Sequence, residues 1–377
     1  MEIADFELER YFARWEFDVA HLLCASDPEP VAMRELLALA DDEVMALWDG
    51  LHLGYTEAPG HPLLRAEIAG RYEHVTPDQV LVCSGAQEAI FLTLGAMLGP
   101  GDHAVVVWPA YQSLHEAARA SGAEVTLIEL AHDEGWALDP ARVRAALRPT
   151  TRVVVVNAPH NPTGALFGRD VQDELVALAE EAGVWLLSDE VYRLLEFDQA
   201  GRLPQAADRS ERAVSVNVMT KAFGLGGLRI GWVATRDERL LGRIAAHKDY
   251  TTICNSAPSE LLALAGLRAS DTLLARARAI IDRNLPLLDE FIAAADWIEW
   301  VRPRAGTIGF PRLRSDVPAE GLAEKLIAAE GVLLLPGSAF GHPGNHIRIG
   351  FGRRDLPEAL ARLSHFADTR FGRFGTR

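Results

Sequence analysis

Four consecutive valines lead directly into a polar loop in Arg152-Val153-Val154-Val155-Val156-Asn157-Ala158-Pro159-His160-Asn161-Pro162-Thr163-Gly164. A run that is apolar at every position is typical of a strand buried on both faces, because successive side chains point to opposite sides of a sheet. Polar residues begin at Asn157, where we expect the strand to end. The segment therefore predicts a buried strand with a polar loop at its carboxyl end.

The flanking segments follow the same plan from about residue 79 to residue 235, with apolar runs separated by stretches of helix length. Such alternation is typical of a mostly parallel sheet with helices packed on both faces. The sequence therefore predicts an α/β fold with a seven-stranded sheet. The expected strands are Val80–Cys83, His103–Trp108, Glu124–Ile128, Arg152–Asn157, Val184–Ser188, Ala213–Val218 and Arg229–Val233.

Beyond residue 240 the pattern changes, which predicts a smaller α+β domain. We expect residues 1–45 to form an N-terminal arm and part of the small domain, residues 46–275 the large domain, and residues 276–377 the small C-terminal domain. The expected elements after residue 240 are a helical region from about Ser256 to Ala295, short strands near Trp300, Ile308 and Leu333, a strand at Ile347–Phe351 and a helix after Asp355.

Composition limits the partners and the location of the protein. The chain has 377 residues and a formal charge of −16, which disfavours contact with nucleic acid or anionic lipid. It lacks the uninterrupted apolar run of about 20 residues that a membrane helix requires. The N-terminus is acidic, unlike a signal peptide, and Cys24, Cys83 and Cys254 are too scattered for a disulfide framework or a zinc site. We expect a cytoplasmic protein with free thiols, no membrane segment and no metal.

Lys221 is the first candidate for covalent chemistry. It ends an apolar stretch within the glycine-rich segment Val218–Gly231 and precedes Arg229 by eight residues. Amines become nucleophilic where burial or a nearby cation lowers their pKa, and carbonyl cofactors such as pyridoxal phosphate capture such lysines as Schiff bases. Arg229 would supply the cation and hold a phosphate. From this segment alone, a solvated lysine in a turn between two strands explains the sequence equally well.

Polar residues follow several predicted strands, at the edge where open parallel sheets bind ligands. Gly85, Ala86 and Gln87 open a helix whose free amides suit an anion, although an ordinary turn capped by Ser84 is the simpler interpretation. Tyr111 follows the second strand and would either stack against a planar cofactor or serve in packing.

The next two strand ends carry an amide and a carboxylate. Asn161 would donate a hydrogen bond to an aromatic hydroxylate or serve as a turn residue, and we expect His160 to be exposed in the same loop. Asp189 would face a protonated pyridine nitrogen, with Tyr192 pointing the same way, or would cap a surface turn. A shared ligand site explains all of these strand ends together, whereas separate structural explanations would have to coincide at each of them.

These residues stand in motifs that resemble those of the class I/II aminotransferases, the aspartate-aminotransferase-like branch of fold-type I pyridoxal phosphate enzymes. The matching motifs are Asn161–Gly164, Ser188–Tyr192, and Lys221 with Arg229 and Gly231. The resemblance extends from about residue 45 to the C-terminus. It implies a three-layer α/β/α large domain with a smaller α+β domain, and pyridoxal 5′-phosphate as the cofactor.

The resemblance also implies a role for each motif residue. Lys221 would form the internal aldimine and move a proton between the substrate Cα and the cofactor. Asp189 would pair with the pyridine nitrogen, and Asn161 and Tyr192 would bind the ring hydroxylate. The catalytic residues would then be Lys221, Asp189 and Tyr192. The other cofactor contacts would be Gly85, Ala86, Gln87, Tyr111, Thr220 and Arg229, and the substrate contacts would be Asn161 and Arg348.

Two further segments match the family. Gly54–Arg65 resembles the segment whose tyrosine reaches the phosphate of the neighbouring subunit, so Tyr55 implies a cofactor contact within a homodimer that shares its active sites. Asn345–Phe351 resembles the strand that carries the substrate-carboxylate arginine, here Arg348. Without the family, Tyr55 would be a turn aromatic and Arg348 a surface strand residue.

The chain departs from the family pattern at two places. Many relatives carry a serine or threonine three residues before the lysine, where this chain has Val218, and Thr220 would take over that phosphate contact. The N-terminal loop Cys24–Pro30 lacks the glycine that is common there. Because this loop normally covers the substrate, the side-chain specificity stays open.

The leading hypothesis is an aminotransferase of amino acid metabolism or biosynthesis, which passes an amino group from an L-amino acid to a 2-oxo acid through a Schiff base at Lys221. A carbon–sulfur β-lyase or a cyclase on the same scaffold is the alternative, since all of these reactions begin with proton removal at Cα. A non-enzymatic, cofactor-sensing module ranks last, because its DNA-binding partner domain does not fit the short N-terminal segment or the negative charge. A dicarboxylate substrate would require a second arginine, for which Arg14, Arg65 and Arg353 are candidates.

Overall fold

A computed structural model of the chain describes residues 2–314 and 317–371. Over these two ranges, none of the helices combines the length and the apolar character needed to cross a bilayer. The helices are α1 (Glu7–Trp15), α2 (Met33–Leu37), α3 (Asp42–Asp49), α4 (Pro62–Ala69), α5 (Gly85–Met97), α6 (Ser113–Ala120), α7 (Pro140–Ala146), α8 (Arg169–Ala182), α9 (Ala206–Arg209), α10 (Glu238–Lys248), α11 (Ala257–Arg268), α12 (Ser270–Ala294), α13 (Ala319–Glu330) and α14 (Leu356–Phe371). The strands are β1 (Val80–Cys83), β2 (His103–Trp108), β3 (Glu124–Glu129), β4 (Thr151–Asn157), β5 (Trp185–Asp189), β6 (Ala213–Val218), β7 (Gly231–Thr235), β8 (Ile298–Glu299), β9 (Ile308–Gly309), β10 (Arg312–Leu313), β11 (Leu335–Pro336) and β12 (Ile347–Gly350).

The large sheet has the strand order β1-β7-β6-β5-β4-β2-β3. Strands β2 to β6 pair in parallel, whereas β7 runs antiparallel to both β6 and β1. The prediction of a mostly parallel, seven-stranded sheet is therefore confirmed. Since β2, β4, β5 and β6 run in one direction, the residues that follow them gather at one edge of the sheet.

The valines of β4 show how the sheet is covered on both faces. Val153 and Val155 pack with α5, α6 and α10 in one core cluster, whereas Val154 and Val156 pack with α7 and α8 in another. All four are at most 3% exposed. Full burial of a valine contributes about 1.5 kcal/mol or more, so this strand is fixed firmly between two helical layers. The alternation confirms the predicted three-layer α/β/α arrangement.

Short antiparallel strands build the smaller part of the molecule, with one sheet of order β11-β12-β9 and a pair β10-β8. The N-terminal segment joins this part, because the Gly350 amide donates to the Leu23 carbonyl (2.7 Å) and the Leu333 amide donates to the His21 carbonyl (2.9 Å). The loop after Leu23 is thereby held beside β12. The domain limits at 45/46 and 275/276 stay a prediction, and residues 1, 315–316 and 372–377 of those segments lie outside the described residues.

One detail of the predicted elements is wrong. Arg229 is not part of a strand, because its backbone is left-handed (φ +53°) and β7 begins only at Gly231. The predicted helical region from about Ser256 to Ala295 is confirmed, and it consists of α11 and α12, because the chain leaves the helical conformation at Ala269 (φ −92°, ψ 19°). Hydrophobic periodicity reports neither kind of local backbone change.

Candidate active site

The residues after β4, β5 and β6 line a cavity of about 410 Å³. We call these residues, together with the start of α5, the sheet wall. The other lining residues come mainly from α1 and the loop at residues 25–27, which we call the N-terminal wall. Among the predicted site residues, those that line the cavity are Ala86, Gln87, Tyr111, Asn161, Asp189, Tyr192, Thr220, Lys221, Arg229 and Arg348.

Asp189 ends β5, with Asn157 of β4 and Val216 of β6 as its register partners. It is 3% exposed, and its Oδ1 accepts a hydrogen bond from the Val191 amide (3.2 Å). In the described ranges no cationic side chain forms an ion pair with it. Burial raises the pKa of Asp189 to about 7, although the Val191 amide and the charge of Lys221 act in the opposite direction. This buried carboxylate therefore suits a cationic ligand atom, such as a protonated ring nitrogen.

Lys221 lies in the turn that follows β6. Its Nζ donates to Ser26 Oγ (2.8 Å) and lies 5.7 Å from the centre of the Tyr192 ring. Burial lowers the pKa of Lys221 to about 8, against the effect of the Asp27 and Asp189 carboxylates. A larger fraction of this amine is neutral near pH 7 than in an exposed lysine, and only the neutral amine attacks a carbonyl carbon.

Gly85, Arg229 and Gly231 form an anion seat at the start of α5. Gly85 has φ +83°, and a Cβ atom there would lie 2.6 Å from Arg229 Nη2. A Cβ atom at Gly231 would lie 2.7 Å from the Gly85 carbonyl carbon and 2.8 Å from the Ala86 nitrogen. Glycine at both positions lets the arginine and the helix start come together, where free amides and the helix dipole favour negative charge. The seat suits a phosphate.

Asn161 and Tyr192 are both buried in the sheet wall. The backbone amide of Asn161 donates to Asn157 Oδ1 (2.6 Å), which holds the polar loop against the end of β4. The Tyr192 hydroxyl donates to the Ser26 carbonyl (3.2 Å), and burial raises the pKa of this phenol. Tyr192 therefore stays protonated and is able to donate a hydrogen bond at neutral pH.

Arg348 projects from β12 and is only 2% exposed, so the interpretation as a surface strand residue is wrong. Its Nε and Nη2 both donate to the Cys24 carbonyl (3.2 and 2.9 Å), and its Nη1 donates to Asn161 Oδ1 (3.4 Å). The rings of Phe12 and Phe340 lie 5.9 and 5.6 Å from the guanidinium carbon. This fixed, buried guanidinium suits a carboxylate ligand.

Tyr111 and Thr220 complete the predicted set around the cavity. The Tyr111 ring packs 5.1 Å from the Phe6 ring, and its hydroxyl donates to Glu9 Oε1 (3.1 Å). Thr220 lies beside Gly226, where a Cβ atom would meet its Cγ2 at 3.1 Å. Val218 also lines the cavity, and Thr220 is the hydroxyl-bearing neighbour of Lys221 there.

A family model described as aminotransferase class I and II matches residues 23–363. The chain belongs to this aminotransferase family. It is 34% identical to the capreomycidine synthase of Streptomyces vinaceus, over 91% of this chain and 85% of that protein. It is 31% identical to the aspartate/prephenate aminotransferase of Thermus thermophilus, over 82% of each.

Two solved structures match this aminotransferase over nearly their whole length. One is a PLP-dependent aminotransferase from Streptococcus suis, with a TM-score of 0.92, 31% identity and 100% coverage of both chains. The other is the PLP-dependent cyclase OrfR, with a TM-score of 0.89, 29% identity and 98% coverage of both chains. The cofactor of the aminotransferase is therefore pyridoxal 5′-phosphate, and the anion seat, Lys221 and Asp189 fit its phosphate, carbonyl and ring nitrogen.

Two predicted positions behave differently from the rest of the aminotransferase site. Tyr55 is 91% exposed and lies outside the cavity of its own chain. His160 was expected to be exposed, but it is only 3% exposed and its Nδ1 contacts Thr163 Oγ1 at 2.7 Å. Burial lowers the pKa of His160 to about 4, so this histidine is a neutral part of the loop core.

The N-terminal wall of the aminotransferase contains residues for which the sequence suggested no role. They are Glu9, Phe12, Glu16, Ser26 and Asp27, of which Ser26 contacts Lys221 directly. The loop Cys24–Pro30 was noted for its missing glycine and as the segment that covers the substrate in relatives, but none of its residues was given a role. Glu9, Phe12 and Glu16 are three or four residues apart, a spacing that places side chains on one side of a helix. This spacing is the sequence signal that indicates these three residues.

The candidate second arginines have other partners. Arg65 donates through Nη2 to Asp78 (2.5 Å) and through Nε to the Pro77 carbonyl (2.9 Å). Arg14 lies over the Trp15 ring at 4.5 Å, and Arg353 Nη2 pairs with Asp27 Oδ2 at 2.9 Å. None of these three arginines lines the cavity.

Proposed function

We propose that the chain transfers an amino group between an L-amino acid and a 2-oxo acid, with its own residues in the following roles. The observation that carries the proposal is the convergence of Lys221, Asp189 and Arg348 on one cavity. An amine, a buried carboxylate and a buried guanidinium are the groups needed to hold an amino acid beside the cofactor and to move a proton at its Cα.

The sheet wall would hold the cofactor. Asp189 would bind the pyridine nitrogen, Asn161 and Tyr192 the ring hydroxylate, and Tyr111 one ring face. Bound in this way, pyridoxal phosphate supplies a sink for the electron pair that remains when Cα loses a proton. The phosphate would lie in the anion seat, with Gly85, Ala86, Gln87, Thr220 and Arg229 as its contacts.

Lys221 would bind the cofactor carbonyl and exchange the proton of the substrate Cα. Its pKa of about 8 lets Nζ both accept and return a proton near neutral pH. Arg348 would bind the substrate carboxylate with two hydrogen bonds and so fix Cα near Nζ. The Tyr192 ring, whose centre lies 5.7 Å from Nζ, would keep the amine in place, while its hydroxyl would donate to the ring hydroxylate of the cofactor.

Isotope transfer tests this proposal. The holoenzyme is incubated with a panel of ¹⁵N-labelled L-amino acids and an unlabelled 2-oxo acid, and the new amino acid is examined by mass spectrometry. We expect ¹⁵N in the amino acid formed from the oxo acid. Unlabelled acceptor with every donor would refute amino-group transfer.

A cyclase or a β-lyase is the second candidate, and the likeness to the cyclase OrfR favours the cyclase. Both reactions need the same proton removal at Cα, so the same residues would serve. A cyclase would give a cyclic product that keeps the ¹⁵N of its donor, and a β-lyase would release pyruvate and ammonia from cysteine conjugates. Neither product requires a 2-oxo acid acceptor.

We also propose a homodimer in which Tyr55 contacts the cofactor of the partner subunit. Leu53, Tyr55 and Tyr250 are more than 80% exposed, and Ile253 is 50% exposed. Their two segments run side by side, since Thr56 Oγ1 donates to the Asn255 carbonyl (3.1 Å). Such an exposed apolar strip suits burial against a second copy.

Subunit mixing tests this arrangement. Lys221→Ala and Tyr55→Ala are each expected to be nearly inactive as homodimers. Mixed dimers would contain one intact site, so about a quarter of the wild-type activity should return after exchange of subunits. No recovery in verified mixed dimers would place Tyr55 outside the active site.

We further infer a cytoplasmic enzyme of amino acid metabolism. The support is that Cys24, Cys83 and Cys254 are all free and that two of them are buried. Such thiols suit a reducing compartment.

A further inference from the structure

One face of helix α1 lines the active-site cavity. Leu8, Glu9, Phe12 and Glu16 take part in the lining, and positions three or four apart lie on the same side of a helix. Glu16 directly follows the helix as its C-cap residue. Seven residues of helix correspond to about 10 Å, so the two carboxylates stand two turns apart along the N-terminal wall.

These carboxylates have few positive partners. Glu9 accepts a hydrogen bond from the neutral Tyr111 hydroxyl (3.1 Å), and Asp27 pairs with Arg353 (2.9 Å). For Glu16, the described part of the chain offers no side-chain hydrogen bond or ion pair. The wall therefore carries three carboxylates and one direct cationic partner.

The electrostatics of Glu16 reflect this surplus of negative charge. Burial raises the pKa of the Glu16 carboxyl, and the like charges of Asp27 and Glu9 raise it further, while Arg353 acts in the opposite direction. Like-charged groups near each other destabilise the ionised form unless a cation lies between them. The N-terminal wall thus lacks a positive charge that a ligand is able to supply.

The cations of the cavity are already matched with other ligand groups. Arg229 faces the phosphate seat, Arg348 suits the substrate carboxylate, and Lys221 suits the cofactor carbonyl. Lys221 and Arg348 line the same cavity and are assigned to the groups that all amino acids share. Binding of an amino acid as such therefore does not require the acidic residues. What the acidic residues determine is the chemistry of the side chain beside them.

We propose that Glu9, Glu16 and Asp27 select a substrate whose side chain ends in a positive charge, as in guanidinium or ammonium amino acids. This inference rests on the proposed function and names its substrate class. Charge-assisted hydrogen bonds from a guanidinium or ammonium group would give Glu16 a partner and Glu9 a cationic one. A dicarboxylate substrate would instead bring a second negative charge to a wall that is already negative.

The test compares substrates that differ only in charge. L-arginine and L-citrulline have side chains of nearly equal length and shape, but only arginine is cationic. We expect kcat/KM of the holoenzyme to be at least about 10-fold higher for arginine, because a charge-assisted hydrogen bond is stronger than a neutral one. Binding of both amino acids to cofactor-loaded Lys221→Ala, measured by calorimetry, should show the same order.

Variants of the wall locate the effect. Glu9→Gln and Glu16→Gln keep the side-chain shape and should lower the arginine-to-citrulline ratio at least about threefold each, mainly through KM for arginine. Glu7→Gln on the same helix is the matched control, since Glu7 lies outside the cavity lining, and it should leave the ratio unchanged. Turnover of L-alanine and the melting temperature report whether each variant is folded.

The outcomes separate the two proposals. If amino groups are transferred but arginine is no better than citrulline, or the Gln variants keep the wild-type ratio, the charge assignment is wrong and the proposed function stands. If no amino group is transferred but calorimetry shows preferred arginine binding that Glu16→Gln abolishes, the assignment stands and the proposed function fails. Preferred binding of glutamate or aspartate would overturn the assignment in either case.

Discussion

The two walls of the cavity are built in different ways. Asp189 and Lys221 follow strands of a sheet whose side chains are buried between two helical layers. Glu9 lies in helix α1 near the N-terminus and is exposed, and Glu16 directly follows this helix and is half-buried. The sheet wall therefore has little freedom to change, whereas the N-terminal wall is able to vary with little cost to the core. We infer that the first wall determines the cofactor chemistry and the second the substrate.

Lys221→Ala is expected to have the largest effect, because it removes the only group on the sheet wall that we assign to proton exchange at Cα. Turnover should fall by more than about 10³-fold. Steady-state kinetics with saturating cofactor measure this loss. Lys325→Ala, at an exposed position of α13, is the control and should behave as wild type.

Asp189→Asn should separate activity from stability. Turnover should fall by about 10²-fold or more, because an amide does not keep the ring nitrogen protonated. The folded-state pKa of about 7 is raised above the usual carboxyl value. The protonated carboxyl therefore makes its full contribution to the free energy of unfolding below about pH 4. This contribution is lost as the pH rises to about 7.

The cofactor-free Asp189→Asn variant should thus be more stable than the wild type at pH 8, by about 1–3 kcal/mol. The difference should shrink towards zero as the pH falls from about 7 to about 4. Urea unfolding at several pH values measures it. A variant that is less stable at pH 8 would show that the buried carboxylate has a cationic partner in the free protein.

Arg348→Lys tests the boundary between the two walls. The lysine keeps the charge but not the planar pair of donors, so kcat/KM for the amino acid should fall by about 10- to 100-fold, mostly through KM. Cofactor affinity should stay within about twofold, because Arg348 is assigned to the substrate. Equal losses in cofactor and substrate binding would show that Arg348 supports the whole cavity instead.

The sheet wall was largely predictable from the sequence. Asp189 directly follows an apolar strand segment and Asn161 lies in the polar loop that follows another, and a parallel sheet brings such strand ends together. The N-terminal wall was not predictable in this way, because Glu9 lies 212 residues before Lys221 in the sequence. No local sequence pattern predicts that α1 packs over the edge of the sheet where Lys221 lies. The tertiary contacts of His21 with residues 331–333 and of Leu23 with Gly350 of β12 place it there.

Local geometry limited the prediction at two other residues. Arg229 stands in an apolar run that suggests a strand, but its left-handed backbone turns the guanidinium towards Gly85. His160 is polar and follows a proline, as exposed loop residues do, yet it packs beneath the loop against Thr163. Both cases depend on backbone conformation, which residue type indicates only weakly.

Ser26→Ala should have the smallest effect and reports on contact between the two walls. The Ser26 hydroxyl accepts a hydrogen bond from Lys221 Nζ, which favours the charged amine, so its loss should lower the pKa of Lys221 below about 8. The rate at which cofactor-free protein binds pyridoxal phosphate, followed against pH, measures this pKa. An unchanged or raised midpoint would mean that the contact does not influence the amine.

Conversion of the bound cofactor shows whether Lys221 and Asp189 on the sheet wall support amino-group transfer. The holoenzyme is mixed with a reactive amino acid and no oxo acid, and the cofactor is extracted and identified. We predict one pyridoxamine phosphate and one 2-oxo acid per chain, and return of the aldehyde form when a 2-oxo acid is added. Consumption of the amino acid while the cofactor stays entirely in the aldehyde form would contradict the account.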